Sequence, residues 1–319
     1  MTSYKPGTKK FLFILVICGA CLQVIVGGSN AAGPSSIPPL ENGFRLVDAL
    51  VLGLVEGVTE YLPVSSTGHL LLAQYIMGPA ATEKTKQAAD AYAIIIQIGA
   101  ILAVVGLYRR RIGQMILGLL GRDAKGLRLV VMLFLAFIPA ALVGLSMEDE
   151  IKARLFGPWP VIAGWMAGGI AILAKPWKST GRGDAGYSSV EDIQWRQALI
   201  IGLLQVFALW PGVSRSLATI MGGLIAGLGL SAAVEFSFLL GLITLGAATL
   251  YEMLECGGSV VTAYGTWLPL VGILCSFVSA WLSVKWLVAY VQTRGLAVFG
   301  YYRLLVAVTT GVFLLTGIL

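Results

Sequence analysis

The chain is poor in charge. Only 12% of its 319 residues are Asp, Glu, Lys or Arg, and it has a single histidine. Roughly a quarter of an average soluble domain is charged, so there is too little here to clothe a water-facing surface of this size. The lone histidine excludes a histidine-rich metal centre. The four cysteines, Cys18, Cys21, Cys256 and Cys275, match no zinc or disulfide spacing. Cys18 and Cys21 form a CxxC, but no βαβ pattern surrounds them, and all four read as small apolar residues. The net charge of +6 comes from basic residues scattered through short loops, not massed on one element, which excludes nucleic acid as a partner. What is abundant is apolar: 57% hydrophobic residues and a mean hydropathy of +0.86. The fold class is therefore an all-α polytopic membrane protein.

In chain order, residues 1–40 carry Lys9-Lys10, an apolar run from Phe11 to Val26, and small residues around Ala31. That is the order of a signal peptide with a cut after Ala31, or of an uncleaved signal anchor, followed by a Pro/Ser-rich linker. Residues 41–319 form one integral membrane domain. An interrupted apolar region from Val47 to Met77 and a polar loop to Asp90 lead to apolar spans at 92–108, 127–146 and 159–174. A basic loop separates these from a second interrupted region, Gln197 to Gly229, broken at Pro211, and spans at 232–251, 266–290 and 302–319.

The two interrupted regions resemble each other. Displaced by 149 residues, Ala49, Leu50, Gly53, Leu54, Val64 and Ser65 fall on Ala198, Leu199, Gly202, Leu203, Val213 and Ser214, with Glu56 on Gln205. The halves are thus about 45–175 and 195–319, each a re-entrant broken-helix hairpin followed by three transmembrane helices. Three is odd, so the halves face opposite ways. With the N-terminus cytoplasmic, sixteen of the 22 basic residues fall in inner loops, Arg303 among them; five fall in outer loops, and Arg215 lies within a hairpin. That bias supports an inverted-topology repeat. Irregular backbone at membrane depth is tolerated only against protein or water, so the two hairpin tips should meet at a polar cavity.

The first tip, VEGVTEYLPVSSTGHLLL from Val55 to Leu72, holds Glu56, Glu60, the hydroxyl run Ser65-Ser66-Thr67 and His69. Each ionised group there costs roughly 3 kcal/mol on insertion scales, so the cluster needs a reason. Glu56 and Glu60 share a helix face at spacing four. Pro63 ends that helix. Val64 to Gly68 reads as a loop, with His69 in the first turn of a new half-helix whose free N–H groups favour an anion. The second tip, LWPGVSRSLAT from Leu209 to Thr219, puts Arg215 among hydroxyls at the start of another half-helix. Its guanidinium fork suits phosphate oxygens. The plain structural alternative is an arginine paired with Glu56, Glu60 or Glu235, and Glu235 and Gln97 are weak candidates for outer positions around the site.

EGVTEYLPVSSTGH together with LWPGVSRSLAT closely resembles the bacitracin-resistance family of bacterial undecaprenyl-diphosphate phosphatases, from about Val47 to the C-terminus. The resemblance implies an inner-membrane hydrolase that converts undecaprenyl diphosphate to undecaprenyl phosphate and inorganic phosphate, recycling the lipid carrier for peptidoglycan synthesis and conferring bacitracin resistance. It implies catalytic roles for Glu60, Ser66, His69 and Arg215, with Glu56 and Glu60 as the family's paired acids. Leu217 departs from the glycine that often follows the SRS triplet, and the N-terminal extension is a second departure.

Diphosphate hydrolysis asks for charge neutralisation, an in-line nucleophile and proton transfer. Ser65, Thr67, Ser214, Arg215, Ser216 and Thr219 are the phosphate-binding candidates. Either Ser66 activated by His69 or His69 itself attacks. The carboxylates Glu56 and Glu60 suit a divalent cation, Mg²⁺ or Ca²⁺. The expected partners are the lipid substrate and the membrane, with the site open to the periplasmic side. A secondary transporter or flippase of an anionic lipid phosphate is the rival reading, since inverted repeats and broken helices serve transport too.

Overall fold

The computed structural model describes residues 44–77, 83–174 and 189–317. The signal-peptide or signal-anchor segment and most of the basic central loop lie outside the described residues. All regular elements described are helical. They are α1 (Leu46–Thr59), α2 (Ser66–Met77), α3 (Glu83–Ile95), α4 (Gln97–Leu107), α5 (Arg109–Leu119), α6 (Ala124–Ser146), α7 (Glu148–Leu155), α8 (Pro158–Leu173), α9 (Trp195–Gln205), α10 (Arg215–Ile225), α11 (Leu230–Tyr264), α12 (Trp267–Arg294) and α13 (Ala297–Leu315), with 3₁₀ turns at Val190–Asp192 and Val206–Leu209.

Among the described residues, five helical stretches are long and apolar enough to cross a membrane: Ala88–Leu107, α6, α11, α12 and α13. A sixth arises if α7 and α8, bent by 93°, count as one span. The burial pattern suits a bilayer. Leu270, Leu274, Val278 and Leu282 project outward from α12 at four-residue spacing, while Ser276, Ser279, Ala280 and Ser283 face inward. Small residues let backbones approach, and that is how helices associate where lipid supplies no hydrophobic contrast. Gly53 of α1 lies so close to α12 that a methyl group there would meet the Gly272 carbonyl at 2.5 Å. Gly202 of α9 meets α6 in the same way, at 2.5 Å from the Ala136 carbonyl.

The span expected at 232–251 continues as helix to Tyr264. Beyond Glu252 and Glu255 the helix turns Val260 and Tyr264 into a core with Ala49, Tyr92 and Leu268, and that packing outweighs the local polarity. Arg303 corrects the loop assignment: it is 0% exposed, inside α13. Fifteen basic residues then remain on the expected inner side against five outside. Both interrupted regions are helix, break, helix. Pro63 and Pro211 stand in the breaks, which bring Glu60–Ser65 and Trp210–Ser214 together beneath α8 and α13.

Candidate active site

The two breaks are tied to each other directly. The Gly212 N–H donates to Ser65 Oγ at 3.2 Å, and Ser216 Oγ donates to the Leu62 carbonyl at 2.8 Å. Ser65 and Ser214, the residues just before α2 and α10, are the only non-glycine positive-φ residues among those described, at 75° and 79°. Each caps the helix it precedes: Ser65 Oγ accepts from Gly68 N–H at 3.4 Å and Ser214 Oγ from Leu217 N–H at 3.3 Å. Helix α2 thus begins at Ser66, earlier than the expected loop to Gly68, because the side chain of Ser65 satisfies the first turn.

Three candidates form one chain of contacts. Arg215 Nη2 donates to Glu60 Oε1 at 2.9 Å, and Ser66 Oγ donates to Glu60 Oε2. The ion pair is sheltered, with side chains 10% and 4% exposed, where charge interactions are little screened. Arg215 is braced by donation to the Ser237 carbonyl at 2.9 Å and by the Tyr61 ring, 5.3 Å from its Cζ. Its buried Nε–H has no partner among the described residues. A buried charged donor without an acceptor is costly, so this one suits a ligand oxygen. Glu60, not Glu235, is therefore the partner of Arg215. Glu235 pairs with Arg111 at 2.8 Å, away from the breaks.

His69 does not hydrogen-bond to Ser66. Its Nδ1 lies 2.7 Å from the Ser65 carbonyl and its Nε2 2.8 Å from the Tyr302 hydroxyl. A carbonyl only accepts, so Nδ1 carries a proton. Glu56 is 0% exposed and lies against Glu60, with no N–H or hydroxyl donor on either carboxylate oxygen among the described residues. Thr219 Oγ1 donates to the Arg215 carbonyl at 2.9 Å and meets Ser237 Oγ at 2.6 Å. Ser216 and Thr219 thus spend their hydroxyl protons on the scaffold, and Thr67 is half-buried beside Ser66. No group of three or more His, Cys, Asp or Glu stands ready to hold a metal ion among the described residues.

Sequence reasoning missed the residues that hold this arrangement. Arg303 donates to four carbonyls: Pro63 at 3.1 Å, Gly164 at 2.9 Å, Gly212 at 2.6 Å and Trp165 at 3.3 Å. It joins both breaks to α8. Trp165 adds an Nε1–H bond to the Val64 carbonyl at 3.0 Å and sets its ring 5.2 Å from that of His69. The available signal was a charge inside an apolar run, the same signal that exposed Glu56 and Glu60.

In this all-helical membrane protein a serine, a carboxylate and an arginine gather where two broken helices meet, and the arginine fork suits an anion. The sequence model of the family described as "Bacitracin resistance protein BacA" matches residues 49–309. An undecaprenyl-diphosphatase of Sorangium cellulosum is 45% identical over 258 residues, covering 81% of this chain and 82% of its own. Undecaprenyl-diphosphatase 2 of Rhodospirillum rubrum is 43% identical over 259 residues, covering 81% and 91%, and undecaprenyl-diphosphatase 1 of Acinetobacter baylyi 40% over 272, covering 85% and 97%. The chain belongs to the bacitracin resistance protein BacA family.

Proposed function

We propose that the protein hydrolyses undecaprenyl diphosphate to undecaprenyl phosphate and inorganic phosphate in the bacterial inner membrane, recycling the carrier lipid for peptidoglycan synthesis and conferring bacitracin resistance. The observation that carries this reading is the contact chain Arg215–Glu60–Ser66, with the Nε–H of Arg215 unpartnered. A pure anion transporter has no use for a hydroxyl donating to a buried carboxylate.

Of the two attacking groups the sequence leaves open, Ser66 has the better geometry. Its Oγ attacks the terminal phosphorus as its proton passes to Glu60, and the bond from phosphorus to the bridging oxygen breaks to release undecaprenyl phosphate. Water then attacks the phosphoserine, its proton passing to His69, and as the phosphorus–Oγ bond breaks Glu60 returns its proton to Ser66 and inorganic phosphate leaves. Arg215 turns its free donors to the phosphoryl oxygens as charge moves onto them. Ser65, Thr67, Ser214, Ser216 and Thr219 shape the phosphate-binding loops. His69 has its electron pair at Nε2 and is the second proton-transfer group. The carboxylates of Glu56 and Glu60 would hold Mg²⁺ or Ca²⁺, and such a cation would supply charge neutralisation at the diphosphate.

The inverted-repeat reading belongs with this proposal. It is supported by the matched positive-φ serines and by the packing of each hairpin's first arm on a span of the other half, α1 on α12 and α9 on α6. Residues 41–319 then form one domain, with the hairpin at 45–78 opening to the periplasm and that at 197–229 to the cytoplasm. Labelling of single cysteines at Tyr75 and Gly229 from opposite sides of the membrane checks the topology; labelling from one side contradicts it. The activity is checked by phosphate release from undecaprenyl diphosphate in detergent, without any gradient. A transporter fails that assay.

A further inference from the structure

Helix α13 places Tyr302 and Arg303 side by side. Arg303 is fixed by four backbone carbonyls, two of them in the breaks that carry Ser65 and Ser214, so the position of its neighbour relative to the site is fixed as well. Tyr302 uses that platform to reach His69, hydroxyl to Nε2 at 2.8 Å, with the two rings 5.7 Å apart and within 5° of parallel. At the other end of the imidazole, the Nδ1 proton is committed to the Ser65 carbonyl at 2.7 Å. That carbonyl belongs to a left-handed residue. Trp165 packs edge-on against the ring at 5.2 Å and 65°. The imidazole is thus fixed in position, plane and tautomer.

We propose that Tyr302 is a positioning residue of the reaction. Its hydroxyl donates to Nε2 and holds His69 as the Nδ1–H tautomer, so that the imidazole's one electron pair is kept at Nε2, on the α13 side of the site. Free neutral imidazoles of histidine favour the opposite tautomer, and which nitrogen holds the proton is set by the partner of the other. A hydroxyl that both gives and takes a proton also lets Nε2 take up and return a proton without moving the ring.

His69 is the only histidine in the chain, which makes the inference directly measurable. Protein labelled with ¹⁵N-histidine and purified through a histidine-free tag gives one pair of imidazole resonances. The expected wild-type spectrum has a protonated Nδ1 and a bare Nε2 displaced by its hydrogen bond. In Tyr302→Phe, which keeps the ring and its packing, that displacement disappears and kcat falls by at least about tenfold with KM within about twofold, as loss of an outer partner does. A wild-type Nε2 that carries the proton overturns the inference, and so does an unmoved Nε2 resonance in Tyr302→Phe. An unchanged kcat in that variant overturns it whatever the spectrum shows. The kinetic arm rests on the phosphatase reading and the spectroscopic arm does not. Wild-type protein that releases no phosphate is a failure of that reading, visible separately from the resonances.

Discussion

Ser65 and Ser214 both hold positive φ, 75° and 79°, one residue before the two helices that open onto the site. Each keeps it because its hydroxyl caps the helix that follows, and Ser65 additionally receives the Gly212 N–H of the other break. A non-glycine residue held at positive φ costs about 1–3 kcal/mol. We expect Ser65→Ala and Ser214→Ala to keep that strain, lose the cap and lower stability by about 1–3 kcal/mol. Ser→Gly at either position should recover part of the loss, since glycine adopts φ > 0 freely. Thermal unfolding in detergent checks the order; alanine variants at least as stable as the glycine variants would contradict it.

Arg215 works as a fork, one arm on Glu60 and one on the Ser237 carbonyl, with its plane against Tyr61. Lysine keeps the charge and loses the fork, so Arg215→Lys should lose about 10²–10³-fold in kcat/KM, close to the alanine variant. Near-normal turnover of the lysine variant would mean that a point charge suffices. The fork also needs space: a methyl group at Gly241 would stand 2.8 Å from the Arg215 Cζ.

Arg303 should be a stability residue first. Its removal strands the break carbonyls of Pro63 and Gly212, each worth about 1–3 kcal/mol when left unsatisfied, and takes a second donor from the helical carbonyls of Gly164 and Trp165. Arg303→Met should therefore unfold at clearly lower temperature, and Arg303→Lys should recover only part of the loss. An unchanged melting temperature in Arg303→Met would show that the carbonyls find other donors.

Far from the breaks, Arg111 ties α5 to the 3₁₀ turn and to α11 through Glu191 and Glu235, and Lys125 meets Glu191 at 3.3 Å. The hydrogen bond from Arg111 holds the Glu191 carboxyl below its ordinary range. A depressed carboxyl stabilises the fold above its unfolded value, about 4.3, and that contribution is lost as pH falls through the folded value. Melting curves from pH 7 to pH 3 should show Glu191→Gln less stable at neutral pH and converging with wild type in acid. A constant gap across that range would mean that the ion pairs contribute nothing.

The helices were legible from apolar run length and the breaks from proline, since both are local properties. The site was legible in part, through charge in apolar surroundings: Glu60 and Arg215 came from opposite halves and meet at 2.9 Å. What local pattern does not contain is which hydroxyl faces which partner. Ser66 and His69, three apart, suggested a dyad, yet the left-handed turn at Ser65 rotates Ser66 toward Glu60 and leaves the imidazole to Tyr302, 233 residues away. Arg303 carried the same signal as Arg215 and was assigned to a loop because it stands near the start of its span. Its role depends on carbonyls from three separate segments, which no spacing rule brings together.

The identity of the attacking group separates the remaining chemical alternatives. The Ser66 hydroxyl donates to a carboxylate that is itself held by Arg215, so a base and an orienting cation are both in place before substrate arrives. His69 has one nitrogen committed to a carbonyl and the other to Tyr302, so attack through Nε2 would first have to break that bond. Loss of a nucleophile removes an interaction that exists only in the transition state, so Ser66→Ala should lose at least about 10³-fold in kcat with little change in substrate binding. Glu60→Gln should fall nearly as far, and the double variant little further, because the two act as one unit. Quenching wild-type turnover of substrate labelled in its terminal phosphate should leave label on the protein that survives acid, as phosphoserine does. Acid-labile label would instead assign the attack to His69, and a Ser66→Ala variant with a tenth or more of wild-type activity would leave the serine only the task of placing the phosphate.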